Sequence, residues 1–79
     1  MFYIKLQGPS GQVVGRDQIT GHYHVGCSDR AIFETVGQAL KVLRPASSTG
    51  KWIRKYALEI GASLVIMEIH ADTEARAVV

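Results

Sequence analysis

One cysteine, two prolines and no apolar run longer than a few residues are what this 79-residue chain has least of. With Cys27 alone, no intramolecular disulfide can form, which excludes the disulfide-stapled secreted domains common at this length; a reducing compartment is the simplest home. The longest apolar run, residues 64–67 with Ala62 as a weak extension, falls far short of the roughly 20 residues that span a bilayer. The opening Met-Phe-Tyr-Ile-Lys-Leu-Gln puts a lysine inside what would have to be a signal core, so no export signal is expected. A cytoplasmic protein without a membrane partner is the resulting expectation. Also missing are internal repeats, linkers and low-complexity tracts. The carboxylates Asp17, Asp29, Glu34, Glu59, Glu68, Asp72 and Glu74 show no paired spacing that suggests acid and base roles.

What is present is an ordinary globular composition, 47% hydrophobic and 20% charged, which argues against disorder. A chain this short buries only about 60% of the surface its unfolded form exposes. One domain over 1–79 is expected, too thin for a deep enclosed active site.

Phe2, Ile4 and Leu6 alternate with Tyr3, Lys5 and Gln7, the period-two signature of a half-buried strand. Gly8-Pro9-Ser10-Gly11 is turn chemistry, and residues 12–16 return as the second arm of a hairpin. After a turn near Asp17, alternation over 19–25 predicts a third strand. Ser28 suits an N-cap, and Ile32, Val36, Ala39, Leu40 and Leu43 recur at helical spacing until Pro45 forbids continuation, giving a first helix over 29–43. Ser48 or Thr49 then caps a second helix over 50–60, stopped by Gly61. Residues 62–70 read as a central strand, and 76–79 as a short edge strand or a tail. The predicted fold is α+β: an antiparallel sheet of four strands, or five, with two helices on one face, in the order β-β-β-α-α-β.

Charge is distributed unevenly over this frame. Residues 41–55 hold five of the nine basic side chains (Lys41, Arg44, Lys51, Arg54, Lys55) and no acidic one, leaving a mildly acidic body around one positive patch. Lys41 and Arg44 fall at the end of the first helix, where cations complement the macrodipole. Lys51, Arg54, Lys55 and Leu58 follow i, i+3, i+4, i+7 on the second helix, opposite an apolar face of Trp52, Ile53, Tyr56, Ala57 and Ile60. Three cations in the first half of a helix oppose its positive end and repel one another, so some other pressure favours them. Together with Ser48 and Thr49 at the helix start, they form a candidate contact for an anionic partner.

Other constellations are weaker. Ser47 to Lys51 superficially matches the end of a nucleotide hydrolase's phosphate loop, but Pro45 stands where the first glycine belongs, Trp52 where the magnesium-binding hydroxyl belongs, and no strand precedes it. His22 and His24 would share a strand face with Cys27 just beyond and His70 and Asp72 further on, yet no structural zinc spacing is met. Cys27 before a helix start is a conceivable nucleophile with no orienting partner. Tyr3, on the polar side of the first strand, and Phe33, at the margin of the first helix's apolar stripe, are candidate exposed interface aromatics that could also anchor a homodimer.

These residues lead first to a non-enzymatic interaction protein that occupies an acidic surface on another protein through Arg44, Lys51, Arg54 and Lys55, needing no cofactor. In size and lack of motifs it compares with accessory proteins of phages and mobile elements, including inhibitors of host defence such as anti-CRISPR proteins, a comparison resting on character alone. The alternative is a nucleic-acid binder placing the same cations on phosphates, and a remote third is a metal or thiol enzyme built on His22, His24 and Cys27.

Overall fold

The computed structural model describes residues 1–9, 11–26, 30–69 and 76–78, Arg76 and Ala77 by their backbone. Seven elements follow one another: β1 (Phe2–Gln7), β2 (Gln12–Arg16), β3 (Tyr23–Gly26), α1 (Val36–Val42), α2 (Ser48–Glu59), β4 (Ser63–Glu68) and β5 (Arg76–Ala77). The strands form one antiparallel sheet in the order β3-β2-β1-β4-β5. Element order and class are those the sequence predicts, with β5 added at the edge and β4 central.

Register explains the core. Ile4 pairs with Ile66 and Leu6 with Leu64, while Val14 pairs with Val25, so these side chains share one face of the sheet. Ile4, Leu6, Val14 and Ile66 are fully or almost fully buried there, with Ala39 and Leu43 from the first helical region and Ile53 and Ala57 from α2. Tyr56 Oη adds a directional tie, donating to Gln12 Oε1 at 3.1 Å and fixing α2 to β2.

Three boundaries differ from the sequence expectation. The third strand is Tyr23–Gly26, because Asp17 Oδ1 accepts from the backbone N–H groups of Ile19 and Thr20 and winds residues 17–20 into a turn instead of a strand. The first helix begins only at Val36: Thr35 is its N-cap, its hydroxyl accepting from Gln38 N, while Gln38 Oε1 accepts from Glu34 N. The cap predicted at Ser28 lies outside the described residues. The second helix starts at Ser48, capped by Ser47 rather than by Ser48 or Thr49, since Ser47 Oγ accepts from Gly50 N. At its far end the expected glycine stop is present. Gly61 has φ +69°, Gly61 N donates to Leu58 O and Ala62 N to Ala57 O, the paired bonds of a left-handed helix terminus.

The segment freed from the first helix has another use. Residues 30–33 are extended and lie between β1 and β2 where those strands splay apart: Phe2 and Phe33 exchange both backbone hydrogen bonds at 2.8 Å, and Ala31 N donates to Val14 O at 2.9 Å. Phe33 therefore enters the core, and Arg30 emerges on the opposite face of the sheet above Tyr3.

Candidate interaction surfaces

α2 is 12 residues long and buries Gly50, Ile53 and Ala57. Its outward side carries Lys51, Trp52, Arg54, Lys55, Leu58 and Glu59, all exposed. The ammonium groups of Lys51 and Lys55 have no hydrogen bond or ion pair among the described residues. Arg54 differs from them, because its Nε donates to Leu43 O at 2.7 Å across to the end of α1. Of the three stripe cations, two are free to meet a ligand with the whole head group, while the third also joins the helices. Arg44 and Lys41 are exposed near the same corner. Arg44 follows the end of α1, and its carbonyl accepts from Ser47 N and Ser47 Oγ.

The α2 N-terminus is less open than the sequence suggests. Ser47 occupies the Gly50 amide, Ser47 O accepts from Lys51 N, Ser48 is exposed and Thr49 is half-buried. Gly50, the glycine of the phosphate-loop lookalike, is there because helix packing requires it: a Cβ would stand 2.9 Å from the Leu43 carbonyl carbon and closer still to the Arg44 carbonyl.

The aromatic candidates change places. Tyr3 is only 7% exposed and Phe33 only 8%, so neither presents an open ring to a partner: Phe33 belongs to the core, and Tyr3 is covered on the other face of the sheet. The Arg30 guanidinium covers Tyr3 at 4.5 Å from the ring centroid. Trp52, expected on the buried stripe, is 39% exposed, and Leu58 is 82% exposed. An aromatic and a leucine thus share a helix face with two unpaired lysines. The signal for Trp52 was its place at the border of the stripe, where a large ring can lie half out.

His22 and His24 do not form the expected strand pair. His22 precedes β3, its carbonyl accepting from Asp17 N, and both imidazoles are exposed. No group of three metal-ligating side chains gathers among the described residues. Cys27, His70 and Asp72 lie outside the described residues.

The fold builds a second positively charged surface from residues far apart in the sequence. An open groove of about 1280 Å³ runs beside β3 and α1, lined by Arg16, Tyr23, Arg30, Phe33, Gln38 and Lys41 among others. Arg16 Nε donates to Gly21 O at 3.2 Å and its guanidinium lies 5.6 Å from the Tyr23 ring centroid; Tyr23 in turn stacks on Phe33 with centroids 6.4 Å apart. Asp17, also in the lining, has its carboxyl held below its ordinary value by the backbone N–H groups of Thr20 and Ile19.

Among the described residues, no helix is long and apolar enough to cross a membrane. No family model, curated protein or solved structure matches this chain.

Proposed function

We propose that this protein is a non-enzymatic interaction module that docks the outer face of α2 on an acidic surface of another protein. The observation that carries this reading is the composition of that face: Lys51 and Lys55 without partners among the described residues, beside Trp52 and Leu58 held in water. An exposed leucine gains nothing from solvent, whereas a partner that covers it recovers its transfer free energy, on the order of 1.5–3 kcal/mol for full burial. The lysines add charge complementarity that steers encounter and fixes orientation. Of these groups the tryptophan is the type enriched at the centre of protein interfaces, which makes Trp52 the anchor, with the lysines on a polar rim. The role of an inhibitor that blocks a partner's site is one form this activity takes.

A second reading, contact with nucleic-acid phosphates, is favoured by the same cations together with Arg44 and Arg54. It gives Leu58 no role. The deciding experiment compares wild-type protein with the Lys51→Glu/Lys55→Glu variant in two assays. In the first, an acidic protein captured from native-source lysate and then purified binds wild type and is lost by the variant. In the second, a generic duplex and a single strand are titrated at rising salt. Binding to them that falls steeply with salt, with a slope near the number of phosphates neutralised, transfers the function to nucleic acid. A purified partner that binds the variant as well as wild type overturns the α2 interface.

A further inference from the structure

We propose that the outer edge of β3 is a separate docking site, which takes an extended acidic segment of another protein as a further antiparallel strand whose carboxylates meet Arg16 and Lys41. β3 ends the sheet in the order β3-β2-β1-β4-β5, so it has a paired neighbour on one side only. The ladder tells which backbone groups are left over. Asp17 N donates to His22 O at 2.8 Å, which makes residues 17 and 22 a hydrogen-bonded pair. Bonded and non-bonded pairs alternate along an antiparallel ladder, so Gly15–His24 and Val13–Gly26 are bonded to each other, whereas Arg16–Tyr23 and Val14–Val25 are not. Val14 O fits the same phase, since it turns away from β3 to accept from Ala31 N at 2.9 Å. The N–H and C=O groups of Tyr23 and Val25 therefore point off the sheet, without partners among the described residues. A row of free groups of this kind is a template for strand addition, in which main-chain bonds supply affinity and alternate side chains supply specificity.

The surroundings of this edge select its occupant. Helix cover stops short of it: α1 packs chiefly over β1 and α2 over β4, and Tyr23 and Val25, although on the helix side of the sheet, stay half-buried. The groove beside β3 and α1 reaches the edge at Tyr23 and His24. Arg16 shares the helix side with Tyr23, its register partner; its guanidinium rests near that ring and its Nε is fixed on Gly21 O, leaving the terminal nitrogens without partners among the described residues. Lys41 lines the same groove from α1, its ammonium likewise without a partner there. Asp17, the acidic group in the described lining, has Oδ1 committed to the amides of Ile19 and Thr20. A carboxylate carried in on an added strand is thus matched in charge. A second copy of this chain is not, because pairing two β3 edges antiparallel sets two such grooves side by side, cation against cation. At four residues, β3 offers about 13 Å of edge at roughly 3.3 Å per residue, enough for a short segment.

The test uses the intact chain and blocked peptides of about six residues that alternate glutamate with valine. Peptide residues directly opposite Tyr23 and Val25 both make the main-chain bonds and share the helix side of the sheet, so in the proposed pose these are the glutamates. The peptide should protect the Tyr23 and Val25 amides from hydrogen exchange. N-methylation of its glutamate amides should weaken binding at least about tenfold, whereas N-methylation of its valine amides, which face solvent, should change it less than about threefold. A lysine–valine peptide should bind at least about tenfold more weakly. Arg16→Gln and Lys41→Gln should each weaken the glutamate peptide about threefold, the scale of an exposed ion pair, and the Lys41 variant reports on the site even if Arg16→Gln loosens the 17–22 loop. Lys51→Gln/Lys55→Gln should change it less than about twofold, which separates this edge from the α2 face. Equal binding of the two methylated peptides or of the lysine peptide, equal loss in the α2 variant, or no protection of Tyr23 and Val25 overturns the proposal. Protection of the same amides that rises with protein concentration in the absence of peptide gives the edge to a second copy of this chain and overturns it as well.

Discussion

Gly50 packs its α-carbon against the carbonyl of Arg44, so closely that a β-carbon would stand 2.7 Å from that carbonyl's carbon. Backbone meets backbone there, and neither side has a flexible end that can swing away. Gly50→Ala must therefore separate the start of α2 from the end of α1. The expected cost is about 1–3 kcal/mol, the usual range for overpacking, read as a lower denaturation midpoint. Gly37→Ala is the contrasting change: its β-carbon meets only Thr35 Oγ, at 3.8 Å. Removing glycine from that helix should leave stability equal or raise it by up to about 1 kcal/mol. Equal losses at the two positions would show that helix contact is not what Gly50 serves.

The same corner shows what could and could not be read in advance. Period-two alternation locates β1, turn chemistry at 8–11 locates β2, the Val, Ile and Leu content of 62–70 locates β4, and Gly61 marks the end of α2, because each signal is local and has one physical meaning. Ile32 falls at helical spacing from Val36 and so lengthens the predicted first helix, although Ile32 is exposed on an extended segment. The pairing of Phe2 with Phe33 is a long-range event that no periodicity reports. Thr35-Val36-Gly37-Gln38 has the T-x-x-Q pattern of the true start, Gln38 reaching Glu34 N instead of the cap's own amide, but Ser28 and Asp29 offer a competing one. Among the site residues, exposure of Lys51, Arg54 and Lys55 was legible from spacing. The distinction between Arg54 and the two lysines was not, since it depends on where Leu43 O comes to lie.

Arg54 and the lysines should consequently separate in experiment. Arg54→Gln removes a charge-assisted bond to an unsatisfied helix-end carbonyl and is expected to cost about 1 kcal/mol. Lys51→Glu/Lys55→Glu should leave stability within about 0.5 kcal/mol of wild type, because both side chains are exposed surface positions away from any packing or bonding role. Urea denaturation of the three proteins, followed through Trp52 fluorescence, checks the order. A double variant as destabilised as Arg54→Gln would mean that the lysines support the fold.

Asp17 makes a pH-dependent contribution. Its carboxyl accepts from the backbone amides of Thr20 and Ile19, which lowers its value from the ordinary 3.8. As the acid is stronger in the folded state, the unfolded chain takes up the proton first as pH falls. Stability from this group is thus present above about pH 4 and is lost on acidification through the folded-state value. Thermal melts between pH 2 and 6, round figures that bracket the ordinary carboxylate range, should show a shallower acid-side decline for Asp17→Asn than for wild type. Parallel profiles would show that the turn does not depend on the ionised side chain.

Tyr3 owes its burial in part to Arg30, which reaches across from the inserted segment to cover the ring on the sheet face away from the helices. Backbone pairing of Arg30 with Gly15 brings the side chain there. Arg30→Gln should therefore uncover the ring and remove a cation–π contact worth about 0.5–1 kcal/mol. A double-mutant cycle with Tyr3→Leu isolates that term from the general effect of losing a positive charge. The coupling expected is about 0.5–1 kcal/mol, falling little with salt because the charge sits directly on the ring. If Arg30→Gln costs the same with leucine at position 3 as with tyrosine, the guanidinium is a bystander and the inserted strand is held by its backbone hydrogen bonds alone.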